Sequence, residues 1–283
     1  PAGVLNVVPG LGARAGAALC ANKNVNHISF TGSVATGRLV QAAAAYNIVP
    51  VTLELGGKSP QLFFEDANLE NALPFLVNAG IQNGGQTCSA SSRILVHRSR
   101  YEEVVDRMAK KYKELIVRPA IDDGALGPLI SERQKTTVED FIAKGKNLNL
   151  VAQGEIDSKA PAKGHYVAPH LFSDVSDDHI LAKDEIFGPV QVIMPFDTEE
   201  EAIKIANGTD YGLVASIWTN DGARQMRLAK KLKSGQVFIN NYGAGGGVEL
   251  PFGGRGFSGH GREKGFEALF GFSTLKTVAS YHQ

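Results

Sequence analysis

The sequence predicts an α/β protein built on parallel sheets. Between Leu5 and Leu55, short β-branched runs alternate with Ala-rich segments in the order strand, helix, strand, helix, strand. Parallel neighbours need crossover helices of this kind. From Ser59 to Asn240 apolar runs alternate with amphipathic segments again, which extends the same architecture into a second unit. The turns that follow the early strands carry Gly32 or Gly56-Gly57, and sheets of this class place ligands at the carboxyl ends of their strands.

Taken in order, Leu5–Val8 reads as the first strand, followed by Gly10, Gly12 and a helix over Ala13–Ala21. Asn26–Phe30 reads as the second strand, Thr31-Gly32-Ser33 as a turn, and Val34–Tyr46 as a helix. Val49–Leu55 is the third strand. The order is that of half a nucleotide-binding fold. Beyond Ser59, a strand at Leu62–Phe64 precedes a helix that Asp66 or Asn68 caps and that runs to about Gln82. The loop Asn83-Gly84-Gly85-Gln86-Thr87-Cys88 leads to a strand at Arg93–His97 and an amphipathic helix at Tyr101–Leu115. Val190–Met194, Leu213–Trp218 and Gln236–Asn240 read as strands, and Glu199–Ala206 and Ala223–Leu232 as helices. Thr198 caps the first of these helices, with Glu201 at the capping-box position. Gly-rich stretches at 243–247 and 253–261 precede a final helix and a closing strand, Thr274–Tyr281.

The 283 residues are 43% hydrophobic and 20% charged with a formal net charge of zero. That is an ordinary globular balance. It offers no basic face for nucleic acid, and no apolar stretch reaches the length of a membrane span. Cys20 and Cys88 make no disulfide framework, so a reducing, cytoplasmic setting is expected. The seven histidines form no metal-ligand spacing, and no metal is proposed. No secretory signal is visible. The chain opens at Pro1, in what reads as a loop entering a strand, so an upstream portion is expected.

Cys88 closes a Gly-rich turn. One reading is a small residue in a tight loop. The other is a nucleophile beside bare backbone N–H groups that can hold an oxyanion. Glu54 lies in the apolar run Val51–Leu55. It is either on the solvent face of an alternating strand or at the ligand-bearing end of a parallel one. Gly10-Leu-Gly12-Ala-Arg-Ala15 fits a dinucleotide pattern, but no acidic residue about ~20 positions later holds a ribose. The stronger phosphate cradle is Thr31-Gly32-Ser33 with Gly37, where a strand turns into a helix N-terminus.

FTGS at Phe30–Ser33, LELGGKSP at Leu53–Pro60, GGQTCSA at Gly84–Ala90, EIFGPV at Glu185–Val190 and PFGGRGFSGHGREKG at Pro251–Gly265 arrive in an order that resembles the aldehyde dehydrogenase superfamily. The resemblance runs from Pro1 to about Tyr281. It implies Cys88 as nucleophile and Glu54 as general base. It places Thr31, Gly32, Ser33 and Gly37 along the phosphates of NAD or NADP, and the Leu55 carbonyl on the nicotinamide amide. Glu185 would hold the nicotinamide ribose, with Phe187 packing nearby. Lys58, Gly188, Pro189, Asn240 and the Pro251–Gly254 turn would be structural members of the site. The implied substrate is an aldehyde, oxidised to a carboxylic acid. The implied assembly is a homodimer or homotetramer bridged by a strand at Ser273–Ser280.

The implied fold is a partial Rossmann-like sheet over 1–57, a catalytic α/β domain over 58–258, and a C-terminal helix and oligomerisation strand over 259–283. The family's adenine-end contacts and its oxyanion asparagine lie upstream of Pro1. An inactive fragment or binding module is therefore one alternative. A coenzyme A-acylating enzyme is another, although Glu54 favours hydrolysis.

Overall fold

The computed structural model describes residues 1–243 and 247–282. After a π-helical turn at Gly12–Gly16, the elements are α1 (Ala17–Cys20), β1 (Ile28–Thr31), α2 (Val34–Tyr46), β2 (Val51–Glu54), β3 (Pro60–Phe63), α3 (Leu69–Ile81), β4 (Arg93–His97) and α4 (Tyr101–Lys113). They continue with β5 (Ile116–Val117), α5 (Glu132–Lys144), β6 (Asn149–Gln153), β7 (Glu155–Ile156), β8 (His170–Ser173), α6 (Ile180–Lys183), β9 (Val190–Phe196) and α7 (Glu199–Ala206). The last are β10 (Val214–Trp218), α8 (Gly222–Lys231), β11 (Gln236–Ile239), β12 (Gly259–His260) and α9 (Gly265–Gly271). The described residues fall into two units. The first is drawn from Pro1–Leu55, Gly245–Gly253 and Ser258–Gln283, the second from Gly56–Ala244 and Gly254–Phe257.

In the first unit β1 and β2 run parallel, with Thr31 opposite Glu54, and β12 adds antiparallel to β2. The sheet packs Ile28, Val51, Leu53 and Leu55 against Val40 and Ala44 of α2. Helix α2 starts where expected because Ser33 caps it, its Oγ accepting the Thr36 N–H at 3.2 Å.

The second unit holds a seven-stranded sheet in the order β11-β10-β3-β4-β9-β8-β6, parallel except for the β6–β8 edge pair. Successive side chains of a strand face opposite sides. Leu62, Leu95 and Ile217 therefore pack on one face with Val138, Leu181, Ala202 and Leu228 of helices α5 to α8. Phe63, Ile94, Val96 and Ile193 pack on the other with Leu73 and Leu76 of α3 and Val104 and Met108 of α4. Coverage on both faces explains why these strands read as continuous apolar runs. Asn68, rather than Asp66, caps α3, accepting the Asn71 N–H at 3.0 Å. Thr198 caps α7, while the Glu201 carboxylate reaches the Asp197 N–H at 2.7 Å, one residue before the cap. Among the described residues no helix is long and apolar enough to cross a membrane.

Three expectations are corrected. Leu5–Val8 forms no strand, and Leu5, Val7 and Val8 are all exposed. The helix expected over Ala13–Ala21 is a π-helical turn followed by one short α-helical turn, and neither buries a residue. The closing strand over Thr274–Tyr281 is also not formed. A strand exists through its ladder, and neither segment is paired to an edge among the described residues.

The same segments expose Leu275 at 98%, Tyr281 at 86% and Val278 at 84%, and α2 exposes Leu39 and Tyr46. Surfaces this apolar seek cover. The 283-residue chain by itself is therefore expected to self-associate. Light scattering after gel filtration should give a mass well above 30.2 kDa, and a monodisperse monomer at micromolar concentration would contradict this.

Candidate active site

The first unit gathers one set of candidate residues at the carboxyl ends of β1 and β2. The Gly32 N–H donates to the Glu54 carbonyl at 3.0 Å, so the chain leaves β1 beside the end of β2. Ser33 then opens α2, whose N-terminal N–H groups make an anion-binding end. Gly37 lies in the first turn, where a Cβ would sit 2.7 Å from Leu55 Cδ2. A larger residue there would require the Leu55 side chain to shift. Thr31, Gly32, Ser33, Gly37 and Leu55 are thereby brought together around one strand-to-helix turn.

Glu54 is the last residue of β2 and is only 2% exposed. Every position of β2 is buried, so the strand does not alternate. Neither carboxylate oxygen has a hydrogen-bond partner among the described residues. Burial, and then repulsion from Glu263, push its pKa up to about 8, with Arg262 opposing. Glu263 is held in place by the Ser29 hydroxyl, which donates to it at 2.6 Å. Gly253 covers the carboxylate so closely that a Cβ there would lie 2.6 Å from Glu54 Oε1.

The second unit presents Cys88. Asn83, Gly84 and Gly85 all have positive φ, at 54°, 64° and 74°, which folds the chain into a tight turn ahead of the cysteine. Cys88 is half-buried, and neither cysteine is in a disulfide. The following residues are held from several sides. The Tyr242 hydroxyl donates to the Ser89 carbonyl at 2.5 Å. The Gln191 amide donates to the Ser91 carbonyl at 2.5 Å and the Leu76 carbonyl at 2.9 Å, and its oxygen accepts from Tyr112.

Glu185 lies in the same unit, its Oε1 accepting the Gly57 N–H at 3.0 Å. Burial raises its pKa, opposed by that N–H and by Lys58. Lys58 is 2% exposed, and its Nζ has no hydrogen-bond partner among the described residues. Burial and the nearby Arg93 lower its pKa to about 7, opposed by Glu185 and Asp184. Arg93 is buried and donates to the Lys58 carbonyl at 2.9 Å and to the Ile205 and Ala206 carbonyls at 2.8 Å each. Phe187 sits in the left-handed region at φ 54°. Asn240 ties the end of β11 to Thr219 through two bonds of 3.0 Å.

Sequence reasoning did not single out Gln86, Gln134, Gln191, Tyr112 or Glu263. Ser131-x-x-Gln134 matches the capping-box spacing, which signals a helix start. It does not reveal that the Gln134 side chain reaches a distant turn.

The chain matches the model of the aldehyde dehydrogenase family over residues 1–278. It is 42% identical over 283 residues to aldehyde dehydrogenase, cytosolic 1, of Rattus norvegicus, covering 99% of this chain and 56% of that protein. It is 43% identical over 282 residues to an aldehyde dehydrogenase of Emericella nidulans, covering 98% and 56%. The NAD+ complex of aldehyde dehydrogenase from Bacillus cereus superposes with a TM-score of 0.91 at 42% identity, covering 96% of this chain and 55% of that one. This chain belongs to the aldehyde dehydrogenase family. It spans about half the length of the curated relatives it matches.

Two predictions follow from the buried charges. A solvated glutamate titrates near 4.5, whereas Glu54 in the fold titrates near 8, so the folded state binds the extra proton between those values. Its favourable contribution is fully present below about pH 4.5 and is lost as pH rises through 8. The stability of the natural protein relative to Glu54→Gln should therefore fall between pH 5 and pH 9 in urea unfolding, and a flat difference would contradict the raised pKa. Arg93→Lys leaves buried carbonyls without donors and should cost about 2–4 kcal/mol, read from the urea midpoint.

Proposed function

We propose that the protein carrying this chain oxidises an aldehyde to its carboxylic acid with NAD or NADP, using Cys88 as nucleophile and Glu54 as general base. The observation that carries this reading is Glu54. It is a buried carboxylate without a hydrogen-bond partner among the described residues, held near pKa 8 at the end of a parallel strand beside a helix N-terminus. A group so costly to bury is suited to taking a proton near neutral pH.

The cofactor fits the first unit's residues. The Ser33-capped N-terminus of α2 offers the positive end of a helix to phosphates. In this reading Thr31, Gly32, Ser33 and Gly37 hold the phosphates, Leu55 offers its carbonyl to the nicotinamide amide, Glu185 takes the ribose hydroxyls, and Phe187 packs nearby. When bound, NAD(P) supplies the hydride acceptor.

The Cys88 thiolate adds to the aldehyde carbon; a sulfur–carbon bond forms and the carbonyl π pair moves to oxygen. The Cys88 backbone N–H donates to that oxyanion. Once the carbon has been oxidised, an acyl group remains on sulfur as a thioester. Glu54 takes a proton from water, the resulting oxygen nucleophile adds to the acyl carbon, and the carbon–sulfur bond breaks to release the acid and regenerate the thiolate. We assign residues 1–57 to the C-terminal half of a nucleotide-binding domain, 58–258 to a catalytic domain and 259–283 to a C-terminal helix and oligomerisation strand. The apolar segment after α9 is assigned to subunit bridging in a homodimer or homotetramer, and the protein to the cytoplasm. The exposure of Leu275 and Val278 supports the bridging role.

In the natural polypeptide, Cys88→Ala should reduce aldehyde-dependent NAD(P) reduction to background, while Cys20→Ala keeps it. Glu54→Gln should keep one burst of reduced cofactor, then lose steady turnover by roughly 10²- to 10⁴-fold, with an acyl adduct on Cys88 visible in the intact mass. Retained turnover in Cys88→Ala would remove the nucleophile assignment.

A further inference from the structure

The turn ahead of Cys88 and the turn that follows Glu185 both lean on one short stretch, residues 129–134. Gln86 lies two residues before Cys88. Its Oε1 accepts the Ile130 N–H at 2.9 Å, and its Nε2 donates to the Asn83 carbonyl at 3.0 Å. Four residues along from Ile130, the Gln134 Nε2 donates to the Ile186 carbonyl at 3.1 Å and the Phe187 carbonyl at 2.9 Å. A carboxamide nitrogen carries two N–H donors, and here each meets one of two successive carbonyls. Between them Ser131 caps α5, its Oγ accepting the Gln134 N–H at 3.2 Å.

The two turns also touch each other directly. A Cβ on Gly85 would lie 2.1 Å from the Gly188 carbonyl oxygen, and one on Gly188 would lie 2.3 Å from Val138 Cγ2 of α5. Both turns hold non-glycine residues at positive φ, Asn83 at 54° and Phe187 at 54°. Such conformations persist where surroundings over-determine them. The side-chain amides supply that determination at the carbonyls of the strained residues.

We propose that Gln134 and Gln86 are positioning residues, a two-amide bracket that fixes the nucleophile's turn and the Glu185–Phe187 turn on residues 129–134. The proposal rests on the roles given to Cys88 and Glu185 above. Hydride transfer requires the sulfur-bound carbon and the cofactor in register, and small displacements carry large rate penalties. Gln134 holds the cofactor side of the bracket and Gln86 the sulfur side.

The test uses Gln134→Met, which removes both donors at similar length, and the isosteric Gln134→Glu, which sets an acceptor against two carbonyls. In the natural polypeptide both should raise the KM for NAD(P) and slow the burst of reduced cofactor by roughly tenfold or more, Glu more than Met. Alkylation of Cys88 by iodoacetamide without cofactor should stay within about twofold, since Gln86 and Gly85 still hold its turn. Hydrogen exchange should speed up over residues 184–190 and not over 83–88. Unchanged exchange over 184–190 in both variants, or an unchanged burst and KM in an active enzyme, would overturn the bracket. So would equal loosening of both turns. If the unmutated protein oxidises no aldehyde, the functional reading falls, and the exchange measurement still decides the bracket.

Discussion

The second unit depends on one buried cation. Arg93 opens β4, between β3 and β9, and its guanidinium points at three main-chain carbonyls from two other segments. Two of these, Ile205 and Ala206, belong to the last turn of α7, where carbonyls have no partners within the helix. The third belongs to Lys58, two residues after Gly56 begins this unit. A planar fork of fixed donors suits this task, and a lysine ammonium does not. Because the donors are charged, their bonds are stronger than neutral ones. They must be, since the guanidinium is removed from water and its pKa is lowered to about 10. The position of Lys58, and hence of the Gly57 N–H that holds Glu185, follows from this anchor.

Two buried glutamates show how environment shifts the titration of one side chain differently. Glu54 is buried with no donor among the described residues and with Glu263 near it, which penalises its charge. Glu185 is also buried but faces the Gly57 N–H and the Lys58 charge, which restrain the rise. The first environment suits a proton acceptor near neutral pH, the second an anion that accepts hydrogen bonds.

Much of this was legible in the sequence. Helix α2 occupies the expected residues because a Ser cap precedes an Ala-rich run. Strand β4 and helix α7 also match, since each is bounded by local signals that tertiary contacts do not override. The structure places Glu54 at the end of β2 and Cys88 after a Gly-rich turn, the local settings their motifs signal in the sequence. The two missing strands have a common cause. Leu5–Val8 and Thr274–Tyr281 have strand-like side chains, but a strand is completed by a neighbour's backbone, which side-chain pattern does not encode.

Local sequence by itself determined the α/β class, the turns that need glycine, the helix caps and the residue types at Cys88 and Glu54. These depend on backbone geometry and on spacing within a few residues. Only the tertiary structure decided that Glu54 is buried rather than solvent-facing, because β2 lies between β1 and β12 and under Gly253. Only it showed the long-range amides of Gln134 and Gln191 and the guanidinium of Arg93 satisfying carbonyls far along the chain. Burial and hydrogen-bond partnership are set by segments distant in sequence, and a single chain's local pattern carries no record of which of them will meet.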